Sequence, residues 1–149
     1  MIFREVLRPP IWLLAFIYFL FLSIVLSVWA ALDNRATLVT LALSTIALIW
    51  IAFSMTSELT FDGKVLTIDK ANIEVNYLGK ATVLDKTAMR LLRTRDADPA
   101  AYLAIKFWEP RGLRIDLNDS RDRTPYWLVT SKRGEELAAL LNREPINLN

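Results

Sequence analysis

Two uncharged runs, Ile11 to Leu32 and Ala36 to Ser57, flank the triplet Asp33-Asn34-Arg35 and constrain this chain more than anything else in it. Each run holds 22 residues. As a helix rising about 1.5 Å per residue, that is ~33 Å, close to the thickness of a bilayer's hydrocarbon core. In a water-soluble protein both helices would need apolar neighbours on every side, and 149 residues supply too little protein to cover them. Arg4 and Arg8 before an apolar stretch, with Val28-Trp29-Ala30 after it, also suggest a cleavable leader. Such a leader has an apolar core of roughly 7 to 15 residues and is not followed at once by a second run. The sequence therefore predicts a transmembrane helical hairpin over residues 1–58, with spans at about 10–32 and 36–56 joined by a three-residue turn.

Arg4 and Arg8 precede the first span, Lys64 and Lys70 follow the second, and Arg35 alone lies in the turn. By the positive-inside rule this predicts a multi-pass protein of the cell membrane with both termini cytoplasmic. Trp12 and Tyr18 near one end and Trp29 near the other suit interfacial belts, and Pro9-Pro10 suits a helix start. In the second span Thr37, Thr40, Ser44 and Thr45 place small side chains every three to four residues, and Ala47 continues the stripe. Such a stripe lets another helix approach closely, either the first span or a helix of a partner membrane protein. No acidic or basic residue lies inside either span, so nothing there suits a proton relay or an ion path.

Composition changes at Glu58. From there on lie 15 of the 18 Lys and Arg and 14 of the 16 Asp and Glu, so residues 59–149 read as a mixed-charge cytoplasmic domain. Its small net charge argues against nucleic acid as a partner, which calls for a dominant basic surface. With neither cysteine nor histidine in the chain, disulfides and the usual zinc, haem and iron-sulfur ligands are excluded. No metal and no cofactor is expected.

Strand signals dominate this domain. Leu59-Thr60-Phe61 and Val65-Leu66-Thr67-Ile68 meet across Asp62-Gly63-Lys64, a strong hairpin cue. Ile73-Glu74-Val75, Ala81-Thr82-Val83, Tyr102 to Phe107, Leu113 to Leu117 and Tyr126 to Thr130 read as further strands. A closing helix starts near Ser131 as cap, with Glu135 and Glu136 in its first turn and Pro145 beyond its end. Its apolar residues Leu137, Leu140 and Leu141 share one face. The expected fold class is thus a membrane protein of α+β type, a two-helix hairpin followed by a small β-rich domain with a C-terminal helix. In architecture that domain resembles the pleckstrin-homology-like domains of bacterial membrane proteins.

Between the strands, Asp85 to Thr94 has helical spacing, with Lys86, Arg90 and Arg93 on one arc and Leu84, Ala88, Leu91 and Leu92 opposite. Close to a bilayer, such a basic stripe suits anionic headgroups, at roughly 1 kcal/mol per charge; otherwise it is a solvated helix face. The run Asp116 to Asp122 has the alternating oxygens of a calcium loop, but Arg121 stands where glycine is needed and Trp127 where a bidentate acid is needed. It reads instead as a polar turn, its carboxylates offset by Arg121 and Arg123. No nucleophile motif, histidine or phosphate-cradling glycine loop accompanies these acids, so an enzyme is not expected and no catalytic residue is assigned.

Several segments together resemble a family of small two-span membrane proteins from actinobacteria, a domain-of-unknown-function family. They are Arg4-Glu5-Val6-Leu7 before Pro9-Pro10-Ile11-Trp12, Asp96-Ala97-Asp98-Pro99-Ala100-Ala101-Tyr102-Leu103, Gly112 to Leu117, Thr124-Pro125-Tyr126-Trp127-Leu128-Val129, and Leu137 to Leu140. In place of that family's tryptophan-rich entry to the first span, this chain has Trp12 alone. The resemblance implies an actinobacterial plasma membrane and carries over no catalytic residue. The function expected from these readings is a non-catalytic accessory subunit of a larger plasma-membrane complex, a respiratory complex being one candidate. Its partners would be other integral membrane proteins and membrane lipids. The alternative is an autonomous membrane-surface module that binds anionic lipid through Lys86, Arg90 and Arg93.

Overall fold

The computed structural model describes residues 2–142, and its first element lies in a stretch read above only as the approach to a helix. Strand β1 (Phe3–Leu7) buries Phe3, Glu5 and Leu7 and exposes Arg4 and Val6. This is the period of two that a strand requires. The inward position taken by Glu5 breaks the apolar alternation that would otherwise mark five residues as a strand.

The chain divides into two compact units, Leu7–Ser57 and the residues on either side of it. The first is a pair of packed helices, α1 (Ile11–Ala31) and α2 (Asn34–Met55). Pro10 stands at the N-cap of α1, where its missing N–H costs nothing. Asp33 caps α2, its side chain accepting from the Ala36 N–H at 2.8 Å. Asn34 and Arg35 are therefore the first turn of α2, and the expected three-residue turn shrinks to Leu32 and Asp33. Both helices are long and apolar enough to cross a membrane.

The β-rich unit holds two four-stranded sheets. The first has the order β1-β2-β3-β4, adding β2 (Ser57–Phe61), β3 (Val65–Ile68) and β4 (Ala71–Glu74). β1 lies beside β2, and the Ile2 N–H donates to the Phe61 carbonyl at 2.8 Å. The expected hairpin is present with Leu59 opposite Ile68 and Phe61 opposite Leu66. Gly63 turns the chain at φ 98°, which favours glycine, and Asp62 accepts from the Lys64 and Val65 N–H groups at 2.8 Å each. Asp69 makes the next turn in the left-handed region at φ 54°. β4 ends one residue before the strand expected to reach Val75, which opens a 3-10 turn (Val75–Tyr77).

The second sheet has the order β5-β7-β8-β6, with β5 (Leu78–Leu84), β6 (Tyr102–Ala104), β7 (Gly112–Leu117) and β8 (Tyr126–Thr130). β7 runs antiparallel to β5 and β8, whereas β6 is parallel to β8. Only Tyr102 to Ala104 of the expected Tyr102-to-Phe107 strand pairs. Residues of both sheets, among them Phe3, Leu59, Phe61, Leu66, Ile68, Leu113, Ile115, Trp127 and Val129, form one core with Leu137 and Ala138 of α4 (Gly134–Leu141). On the other side of the second sheet α3 (Lys86–Arg93) forms a smaller core, with Met89 against Leu84, Tyr126 and Leu128. β8 is therefore buried at all five positions, which explains its unbroken run Tyr-Trp-Leu-Val-Thr.

Two further details depart from the expectation. Ser131 does not stand at the N-cap of α4: that position is Arg133, whose side chain makes no capping hydrogen bond, while the Ser131 hydroxyl accepts from the Arg133 N–H at 3.1 Å. On α3 the fully buried residue is Met89, which the expected apolar set did not include. Pro145 lies outside the described residues.

Candidate functional site: the helix-pair faces and the basic helix

Thr37, Thr40, Ser44 and Ala47 all fall on the half-covered side of α2. The Thr37 and Thr40 hydroxyls donate to carbonyls one turn back, those of Asp33 at 3.0 Å and Ala36 at 2.9 Å. Their polarity is thus satisfied within the helix, and what they offer a neighbour is small size. α1 is the helix that packs there. Its covered side carries larger residues, Ile17, Phe21, Val25 and Val28, so large side chains of one helix meet small ones of the other. Tyr18 is half-buried on that side, while Trp12 and Trp29 are more than half exposed.

Packing of Ala88, Met89 and Leu92 in the small core turns Lys86 and Arg90 outward and leaves Arg93 at the flank of that face. Asp85 caps the helix, accepting from the Ala88 N–H at 2.7 Å. Lys86 and Arg90 are exposed and Arg93 is half-buried. Arg90 and Arg93 stand in the last turn, where positive charge favours the helix dipole. Among the described residues none of the three forms an ion pair, whereas Lys106 reaches Asp69 at 3.8 Å and Arg114 reaches Asp116 at 2.8 Å.

A buried carboxylate not foreseen from the sequence anchors β1. Glu5 accepts from the Ser131 hydroxyl at 2.5 Å and from the Lys132 N–H at 2.8 Å. The Arg133 guanidinium adds a bond to the Arg4 carbonyl at 3.2 Å and lies 4.9 Å from the Phe3 ring centroid. A cleft of about 460 Å³ opens beside this anchor, lined in part by Asp85, Arg111, Lys132, Arg133, Glu135 and Glu136. Its charges are of both signs and largely engaged: Arg133 pairs with Glu136, Arg111 with Glu109, and Asp85 with its helix.

The aspartate-proline and proline-tyrosine-tryptophan segments, distant in sequence, meet in space. The Asp98 N–H donates to the Tyr126 hydroxyl at 3.3 Å, and the Tyr102 and Trp127 rings lie 4.8 Å apart. The Arg114 guanidinium sits 4.3 Å from the Tyr126 ring centroid. In the polar turn, Arg121 pairs with Asp119 at 3.1 Å and lies over the Tyr77 ring. Its hydrogen bond holds the Asp119 carboxyl below the usual value of 3.8. Beyond β6, Phe107 is exposed and edge-on to Trp108, whose buried indole N–H has no acceptor among the described residues.

A family described as protein of unknown function (DUF3093) matches residues 2–141. No curated protein matches the chain, and no solved structure does.

Proposed function

We propose, from the premise that the chain belongs to the DUF3093 family of proteins of unknown function, that it is a two-span protein of an actinobacterial plasma membrane. In this reading its β-rich unit lies in the cytoplasm and the whole serves as a non-catalytic accessory subunit of a larger membrane complex. The observation that carries the reading is the outward surface of the helix pair. Sixteen large apolar side chains of α1 and α2 are exposed, among them Trp12 at 63%, Phe19 at 65%, Trp50 at 69% and Phe53 at 77%. Left in water, they would cost on the order of 20 kcal/mol relative to burial. That exceeds the about 5–15 kcal/mol by which domains are usually stable. Lipid or the helices of a partner membrane protein relieves this cost.

The sheet supports an even number of crossings. β1 and β2 are neighbours, so the chain leaves one sheet at the start of the helix pair and returns to the same sheet after it. Both termini then share a side, and the excess of Lys and Arg near the helix ends favours the cytoplasm. A pleckstrin-homology-like reading of the β-rich unit draws on its two sheets and closing helix; the parallel β6 and the inserted α3 are its departures. Exposed Leu103 and Phe107 near the β6 edge add apolar surface for a protein partner, with a respiratory complex among the candidate assemblies.

The test is purification of the tagged full-length chain from its own membranes in mild detergent, with mass spectrometry of what accompanies it. A stoichiometric set of membrane proteins is expected. Recovery of the chain alone refutes the subunit reading.

A further inference from the structure

The outward face of α3 is the strongest feature the subunit reading leaves unused. Met89 is fully buried, with Ala88 and Leu92 packed around the same small core, so the helix cannot roll to hide Lys86 and Arg90. In the same unit Arg4, Arg95, Arg111, Arg114, Arg121 and Arg133 each hold a carboxylate within 4 Å. Lys86, Arg90 and Arg93 hold none among the described residues; the same is true of Lys64, Lys70, Lys80, Arg123 and Lys132, but those are scattered over turns, loops and β5, whereas these three share one helix. The carboxylates nearest in sequence are engaged elsewhere: Asp85 takes the Ala88 N–H at 2.7 Å, and Asp96 takes Arg95 at 3.0 Å.

The tether selects the occupant of this face. Only Thr56 separates α2 from β2, and only Arg8-Pro9-Pro10 separates β1 from α1. Three extended residues reach about 10 Å, so on the two-span reading the β-rich unit is held at the bilayer, where headgroups are at high effective concentration. We propose that Lys86, Arg90 and Arg93 bind anionic lipid headgroups of the membrane to which their unit is tethered, so that α3 docks the unit on the bilayer surface. At ~1 kcal/mol per cation, removing all three lowers the ratio of docked to undocked unit on the order of 100-fold.

The proposal rests on the two-span reading, and one preparation tests both. The chain has no cysteine, so Thr87→Cys, on the exposed side between Lys86 and Arg90, gives a single labelling point. The labelled full chain is reconstituted in phosphatidylcholine vesicles with and without phosphatidylglycerol. A lipid-contact signal at position 87 is expected only in the anionic vesicles. It should vanish at ~1 M salt, where screening shortens to ~3 Å, and in the variant combining Lys86→Gln, Arg90→Gln and Arg93→Gln. A signal equal in both vesicle types, or one that survives the triple substitution, overturns the lipid site. Release of the chain from the vesicles by alkali overturns the two-span reading, whereas a retained chain with a silent position 87 overturns the lipid site alone.

Discussion

Replacing Phe3 by alanine tests the most consequential pairing in the fold. Phe3 is 2% exposed and belongs to the core shared with Leu59, Phe61, Leu66 and Ile68. Truncating a buried phenylalanine costs about 3–5 kcal/mol, because transferred area is lost and the cavity left behind closes only in part. Loss of the Arg133 contact to the ring, at 4.9 Å, adds at most about 1 kcal/mol at an exposed site. The assay is hydrogen exchange of the full-length chain in detergent micelles, read at the amides of β2 and β3. It reports opening of the β-rich unit without requiring the helix pair to unfold. At about 1.4 kcal/mol per decade, protection there should fall by roughly two to three and a half orders of magnitude. Arg4→Ala is the control on the same strand: its partner is Glu58 in an exposed pair at 2.7 Å, worth ~0–1 kcal/mol. If Phe3→Ala leaves β2 and β3 as protected as Arg4→Ala does, β1 is not part of the sheet, and the argument for an even number of crossings fails with it. Residues 59–149 alone lack β1 and with it one strand of their own core, so a full-length chain is the proper object for binding experiments.

Two further outcomes follow from local geometry. In Gly112→Ala the new Cβ would meet the Val129 carbonyl oxygen and lie 2.7 Å from the Met89 side chain; because the first obstacle is backbone within the β7–β8 ladder, a loss of about 3 kcal/mol is expected, and wild-type thermal stability would refute it. Hydrogen bonds from the Val65 and then the Lys64 N–H hold the Asp62 carboxyl below its usual 3.8, so its contribution to stability is complete above that value and is lost as pH falls through the lower folded one; Asp62→Asn should flatten this part of the acid limb in a pH series of unfolding midpoints, and an unchanged limb counts against it.

What was readable in the chain was what local chemistry encodes. The extent of α1 and α2 follows from uninterrupted apolarity, the β2–β3 hairpin from Asp62-Gly63, and the position of β8 from a five-residue run that both faces of a sheet need to be apolar. The candidate residues were legible as patterns only: three-to-four spacing put Thr37, Thr40, Ser44 and Ala47 on one side of a helix and Lys86, Arg90 and Arg93 on one side of another. Spacing alone did not reveal that α1 already packs on the first set, or that in the second Lys86 and Arg90 are exposed while Arg93 is half-buried.

The sequence by itself determined two helices of membrane-spanning length, a β-rich remainder with its principal turn, and the absence of thiol and imidazole chemistry, because each of these is a property of consecutive residues or of composition. The tertiary structure decided the rest. It gave Phe3–Leu7 to a sheet whose next strand begins only at Ser57, made Ser131 a partner of Glu5 rather than the N-cap residue of α4, placed β6 parallel beside β8, and brought Asp98 to Tyr126. The physical reason is the same in each case: these are pairings between distant segments, and neither partner carries the signal until the other is packed against it.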